Sequence, residues 1–265
     1  MAVMLSTNMY GIGELHRVLH WLDEFNGKLG VEVFPLFEEA GYEAELEACM
    51  DAFSRVPVSF HGPYYGAEHS AQEGSGEYQR TQTLLKKTLL YSRKLHARYM
   101  VFHHNNCACP PERQAEMLRT ACRNYRDIAE LFGKEGIPVY VENAGVKDRE
   151  NMLLGEEAFI SLCRSENYPV LIDIGHAFAN GWNLQHVMEE LAGQIRAYHL
   201  HNNDGQHDSH LRIHAGKLDF NAFVKDCRRL TPNADWVLEY GPSVADDAAG
   251  IEEDLRELFR VCPVS

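Results

Sequence analysis

Short apolar runs alternate with longer amphipathic segments along the whole of this chain, and the pairing recurs eight times. Apolar runs rich in β-branched and aromatic residues predict strands at Val3–Thr7, Val31–Phe34, Val58–His61, Tyr99–His103, Pro138–Glu142, Val170–Asp173, Arg196–His201 and Trp236–Glu239. Helical periodicity follows each of them, near Glu14–Lys28, Tyr42–Ser54, Glu77–His96, Arg113–Lys134, Glu156–Arg164, Leu184–Leu191, Asp219–Leu230 and Ile251–Val261. Runs such as YMVF, IPVYV and VLI are apolar without alternation, as strands covered on both faces are. Strands separated by helices pair in parallel, and eight such units imply an α/β fold of the (β/α)8 TIM barrel type. No linker or low-complexity tract interrupts residues 1–265, so a single domain is expected. An open doubly wound sheet is the competing fold, but no GxGxxG follows the first strand.

Composition narrows the class of protein. No run of 18 apolar residues predicts a membrane span, and MAVMLSTN lacks the basic and apolar regions of a signal peptide. The seven Cys are irregularly spaced and include no CxxC, which predicts reduced thiols and a cytoplasmic protein. A net charge of −14 disfavours nonspecific binding to nucleic acid and to anionic membranes. The oligomeric state is not legible.

In an α/β barrel the chemistry sits at the C-terminal ends of the strands. Six consecutive strands deliver a His, Asp or Glu to that rim: His61, His103, Glu142, Asp173, His199 and Glu239. The segments VYVENAG and LIDIGHAF offer Glu142 and Asp173 no neighbouring cation. Two carboxylates buried in one barrel mouth repel each other, and a metal ion removes the repulsion. The stretch Tyr198–Phe220 holds five His, His199 among them, and three Asp. Glu142, Asp173, His199 and Glu239 make a minimal one-metal set. His61, His103, His176, Asp208 and His210 then either complete further metal sites or contact substrate and ligands. A mixed His and carboxylate set is open to zinc, manganese, cobalt or ferrous iron, with one to three ions.

These motifs resemble the xylose isomerase-like barrel superfamily, which includes sugar phosphate isomerase/epimerase proteins and the endonuclease IV class of abasic-site nucleases. The resemblance covers nearly the whole chain. It rests on VEN at Glu142, DxxHAFxxG from Asp173 through His176 to Gly181, HLHxND at His199, and DxHLxxxxGxxDF from Asp208 and His210 to Phe220. HGPY at His61 and FH at His103 also match. The nuclease class binds three metals with nine ligands, which implies His61, His103, Glu142, Asp173, His176, His199, Asp208, His210 and Glu239 here. The nuclease motifs after the first two strands are not matched; those loops read STNMYGIG and PLFEEAGY, with Glu38 and Glu39 where a phosphate backbone would be repelled. His214-Ala215-Gly216 also stands where relatives often carry Gly-Glu-Gly.

The expected function is a divalent-metal-dependent isomerase or epimerase of a sugar, sugar phosphate or related polyol. Glu142 and Glu239 are the expected acid and base, with His176, His61, Tyr64, Trp182 and Lys217 contacting substrate. A rival reading is a multinuclear-zinc phosphoesterase, with Lys147, Arg149, Arg212 and Lys217 as candidate rim cations. A third is a non-catalytic metal-dependent binding subunit. The loop Gly62–Gly76, with Tyr64 and Tyr65, is expected to close over the substrate. Phe178, Trp182 and Tyr10 either stack on a sugar ring or pack. His201, His207 and His214 are expected to add only polarity.

Overall fold

A computed structural model describes residues 1–261. Eight strands form a closed parallel barrel in chain order: β1 Val3–Ser6, β2 Leu29–Val33, β3 Val58–His61, β4 Met100–Phe102, β5 Val139–Glu142, β6 Val170–Asp173, β7 Ile195–Leu200 and β8 Asp235–Leu238. The helices are α1 Val18–Glu24, α2 Tyr42–Phe53, α3 Gly76–Lys94, α4 Pro111–Gly133, α5 Glu156–Glu166, α6 Ile174–Ala179, α7 Leu184–Leu191, α8 Phe220–Leu230 and α9 Ala248–Val261. The architecture is the predicted TIM barrel, and no helix among the described residues is long and apolar enough to cross a membrane.

Side chains alternate between the two faces of each strand. The outward set, including Val3, Leu5, Met100, Phe102, Val170, Ile172, Trp236 and Leu238, joins the main core between barrel and helices. The inward set, Met4, Val101, Leu171, Ala197 and Val237 with Tyr140 against them, forms a separate apolar plug inside the barrel. Two residues further along the same strands stand His103, Asp173, His199, Glu239 and Glu142. The period of two thus lifts a polar layer directly above the plug.

Local chemistry sets the ends of these elements. Ser75 caps α3 by accepting from the Tyr78 N–H, and Pro111 opens α4, where a missing N–H does no harm. The predicted helix Glu14–Lys28 is shorter than expected. A 3-10 turn at Leu15–Arg17 leads into α1, and the chain leaves the helix through Asn26 and Gly27 at φ 50° and 71°. At the opposite end of the barrel, buried Asp235 accepts from the Ala2 N–H at 2.6 Å and from Arg98 Nε at 2.9 Å. These bonds tie the β1 and β8 seam to the segment before β4, so that end of the barrel serves stability.

Candidate metal centre

The strand ends converge on Glu142. Its Oε2 lies 2.9 Å from His103 Nε2, 3.4 Å from His199 Nδ1 and 3.9 Å from His61 Nε2. Its Oε1 lies 3.2 Å from His176 Nδ1. Helix α6, which the sequence did not predict, makes this last approach possible. Asp173 caps it by accepting from the His176 N–H at 2.6 Å, and one helical turn carries His176 over the centre. Asn143 braces the ends of β5 and β6, accepting from the Asp173 N–H at 2.7 Å and donating to the Asp173 carbonyl at 2.9 Å.

The remaining donors come from β7, the loop after it, and β8. Glu239 Oε2 is 3.5 Å from His199 Nδ1 and 3.6 Å from His210 Nδ1. Asp208 places Oδ1 3.1 Å from His210 Nε2 and Oδ2 3.4 Å from His176 Nε2. His210 sits in the left-handed region at φ 44°, a conformation that costs a non-glycine residue on the order of 1–3 kcal/mol. It is held there by Glu239 O, 2.8 Å from its Nδ1, and by the Gly241 N–H, which donates to its own carbonyl at 2.9 Å. All nine residues expected as ligands therefore meet in one place.

The donor chemistry fits a divalent cation. His61/His103/Glu142, Glu142/Asp173/His199 and His176/His201/Asp208/His210 each bring their donor atoms within 4.8 Å of one another. Ligands on one ion at bonds of about 2.0–2.2 Å lie within roughly 4.4 Å of each other, so small shifts suffice. Several imidazoles have one ring nitrogen already engaged. His61 Nδ1 lies 2.7 Å from the Gly62 carbonyl, His103 Nδ1 lies 3.1 Å from Asn106 Oδ1, and His199 Nε2 lies 2.8 Å from Glu32 Oε1. In each case the other nitrogen faces the carboxylates, as in metal sites with a fixed tautomer. Glu142 Oε1, His176 Nδ1, His199 Nδ1 and Asp208 Oδ1 are buried without a hydrogen-bond partner of good geometry. Orphaned buried atoms of this kind are expensive unless something binds them.

The electrostatics agree. Burial opposes ionisation of Glu142, but His103 and His199 outweigh it and hold the carboxyl well below its usual range. Burial likewise disfavours charge on His199, yet Glu239, Glu32 and Glu142 hold its pKa well above the ordinary imidazole value. The same contest at His210, won by Asp208, raises it to about 9. Glu239 goes the other way. Burial, aided by Glu142 and Asp173 against His199 and His210, pushes it up to about 7.

A cavity of about 340 Å³ opens above these residues, lined by His61, His103, Glu142, His176, Asp208, His210 and Glu239 together with Phe34, Tyr64, Tyr65 and Arg149. Tyr64 is thus where the sequence put it. Trp182 and Lys217, expected to contact substrate, do not line the cavity. Gly181 turns the chain at φ 71° and Trp182 packs on Phe159 at 5.7 Å between ring centres, while Lys217 is exposed on a segment whose N–H donates to Asn203 O. Of the four rim cations only Arg149 reaches the cavity, with Nη1 3.2 Å from Asp208 Oδ2. Arg212 is taken up by Asp247, Glu253 and Asp254, and Lys147 Nζ donates to the Asn180 carbonyl. Tyr10 accepts from Trp21 and packs in the core.

The loop expected to close over the substrate is hydrogen-bonded to the segment after β4. Glu68 accepts from the N–H groups of Ser70, Asn106 and Cys107 at 2.8–2.9 Å, and the Asn106 amide donates to the carbonyls of Pro63, Tyr64 and Ala67. These bonds strap the 62–75 loop to the segment after β4.

Two site residues escaped sequence reasoning. Glu32 stands on the inward face of β2, fully buried against His199. His201, expected to add only polarity, is fully buried, 3.0 Å from Asp173 Oδ2, and stacked on His210 at 3.8 Å between ring centres. Both were legible from the period of two, since Glu32 interrupts an apolar run and His201 shares a face with His199. Gly175 makes room for His201: a Cβ there would lie 2.0 Å from its Cε1. Gly175→Ala is therefore expected to destabilise the fold by about 1–3 kcal/mol, as overpacking does. Urea unfolding tests this, and an unchanged midpoint would show that the ring has room to move.

The family model for the xylose isomerase-like TIM barrel matches residues 24–261. An uncharacterized protein of Methanocaldococcus jannaschii is 26% identical over 167 residues, covering 63% of this chain and 64% of that protein, so the match spans less than two thirds of the relative's length. The solved structure of D-psicose 3-epimerase in the presence of D-fructose superposes with a TM-score of 0.76 at 14% identity, covering 99% of each chain. The IOLI protein with a binding zinc atom superposes with a TM-score of 0.76 at 13% identity, covering 99% of this chain and 98% of that one. At such identities the two structures speak for the fold alone. The closed eight-stranded barrel and the match over residues 24–261 together place this chain in the xylose isomerase-like TIM barrel family.

Proposed function

We propose that this protein is a divalent-metal-dependent isomerase or epimerase of a sugar, sugar phosphate or related polyol. The observation that carries the reading is the pair Glu142 and Glu239. Both line one cavity, and their Oε2 atoms flank His199 Nδ1 at 3.4 and 3.5 Å. Glu142, Asp173, His199 and Glu239 would hold one ion, with zinc, manganese and cobalt as candidates, and the outer donors His176, Asp208 and His210 would hold more. A bound ion of this type polarises a carbonyl and acidifies the neighbouring C–H.

The protein's own groups supply the proton transfer. Environments that push two carboxyl pKa values apart suit an acid and a base: in the ion-free site His103 and His199 hold Glu142 well below the usual carboxylate range, whereas burial pushes Glu239 up to about 7. Carried on different strands of one mouth, they suit removal of a proton by one and its return by the other. His176 reaches the same space and would orient a substrate oxygen. A cavity of about 340 Å³ is near the lower end for small-molecule sites and suits a monosaccharide-sized ligand. Psicose 3-epimerase, with the same fold, acts on such a molecule by its name.

A hydrolytic reading draws on a separate observation, the overlapping donor groups that have room for more than one ion. One experiment separates the two. The manganese- or cobalt-loaded protein is incubated with ketoses and ketose phosphates in deuterated water and followed by NMR. Deuterium is expected at the carbon next to the carbonyl. The same protein is incubated in parallel with an abasic duplex, and cleavage there with no exchange on any ketose would overturn the isomerase reading.

A further inference from the structure

Glu32 does not line the cavity, although its carboxylate lies within 4.8 Å of donor atoms of His199 and Glu239. Its side chain is fully buried in β2. Oε2 accepts from Ser59 Oγ at 3.1 Å and Oε1 faces His199 Nε2 at 2.8 Å. Among the described residues no Lys or Arg pairs with it; His199 is its partner. His199 is fully buried as well, and its Nδ1 faces Glu142, Glu239 and Asp173 at 3.4, 3.5 and 3.9 Å.

We propose that Glu32 is the positioning residue of the metal centre: by accepting from His199 Nε2–H it fixes the tautomer that leaves the Nδ1 lone pair facing inward. An imidazole has two nitrogens, and only one keeps a lone pair when the ring is neutral. A carboxylate on the outer nitrogen decides which, and it also makes the inner nitrogen a stronger donor. Ser59 donates to the second oxygen, which favours the carboxylate orientation that faces the ring. A carboxylate buried this deeply without a Lys or Arg is a burden on the fold unless it serves such a purpose. The inference rests on the metal centre proposed above.

The test compares Glu32→Gln and Glu32→Leu with the wild type. Co2+ affinity is measured by competition with a chelator, alongside the Co2+ absorption spectrum and the thermal midpoint of the metal-free protein. Loss of the partner of a metal-bound His typically weakens affinity 10–100-fold. Gln, which keeps an acceptor, is expected near the lower figure with the metal-free midpoint close to that of the wild type, and Leu near the upper with a lowered midpoint, because His199 Nε2–H and Ser59 Oγ lose their acceptor. In a His199→Asn background the Glu32→Gln change should cost no further affinity, because the ring it orients is gone. A merely structural role predicts losses that follow the midpoint and persist in that background, and this result overturns the proposal. Wild-type affinity in Glu32→Leu overturns it too, while leaving the metal centre standing. If the wild type takes up no Co2+, the metal centre itself fails and the role of Glu32 fails with it.

Discussion

Glu239→Gln is expected to lower kcat for proton exchange by about 10²–10⁴-fold, the usual contribution of a positioned acid or base. Gln matches the shape of Glu and keeps an oxygen to face His199 and His210, so substantial metal should remain bound. What it removes is a titrating group. Burial, with Glu142 and Asp173 close by, pushes Glu239 up to about 7 in the ion-free site. The amide does not titrate. Metal analysis of the variant beside its deuterium-exchange rate makes the distinction. Full activity would remove Glu239 from the proposed chemistry, whereas loss of metal and activity together would leave it a ligand only.

Removal of the metal is the second large effect. Dialysis against a chelator is expected to abolish turnover and lower the thermal midpoint, with manganese or cobalt restoring both. An ion that binds only the folded state at a thousand times its dissociation constant stabilises by about 4 kcal/mol. At about 2–4 °C per kcal/mol for a chain approaching this length, the midpoint should fall by roughly 10 °C. The sign follows from the site: without the ion, Glu142 Oε1 and Asp208 Oδ1 are left buried and without well-formed hydrogen bonds. The metal content of protein purified without added metal discriminates further. About one equivalent favours proton transfer, and about three of zinc favour hydrolysis. A chelator that changes neither activity nor midpoint would remove metal from the mechanism.

The barrel and most of its rim were readable because strand ends carry their own signal. β3 and β6 begin and end where the apolar runs do, and His61, Glu142 and Asp173 close their strands as expected. What the sequence hid depends on facing rather than position. Glu32 lies within β2, and a search restricted to strand ends passes over it. His201 lies beyond β7 but keeps the inward phase of His199. Trp182 and Lys217 looked available because loop composition says nothing about direction; a left-handed Gly181 and the Asn203 contact decide that. Helix α6 is only six residues long, too short for periodicity to register.

The strap of Glu68 and Asn106 across the loop beside the cavity bears on the thermodynamics of ligand capture. A segment already ordered surrenders little conformational freedom when a ligand arrives, so the entropic penalty falls on folding instead of association. The Tyr64 carbonyl is held by the Asn106 amide, and the rings of Tyr64 and Tyr65 line the edge of the cavity. On the proposed function, a pre-ordered wall of this kind would distinguish stereoisomers by steric fit, without drawing binding energy into a closing motion.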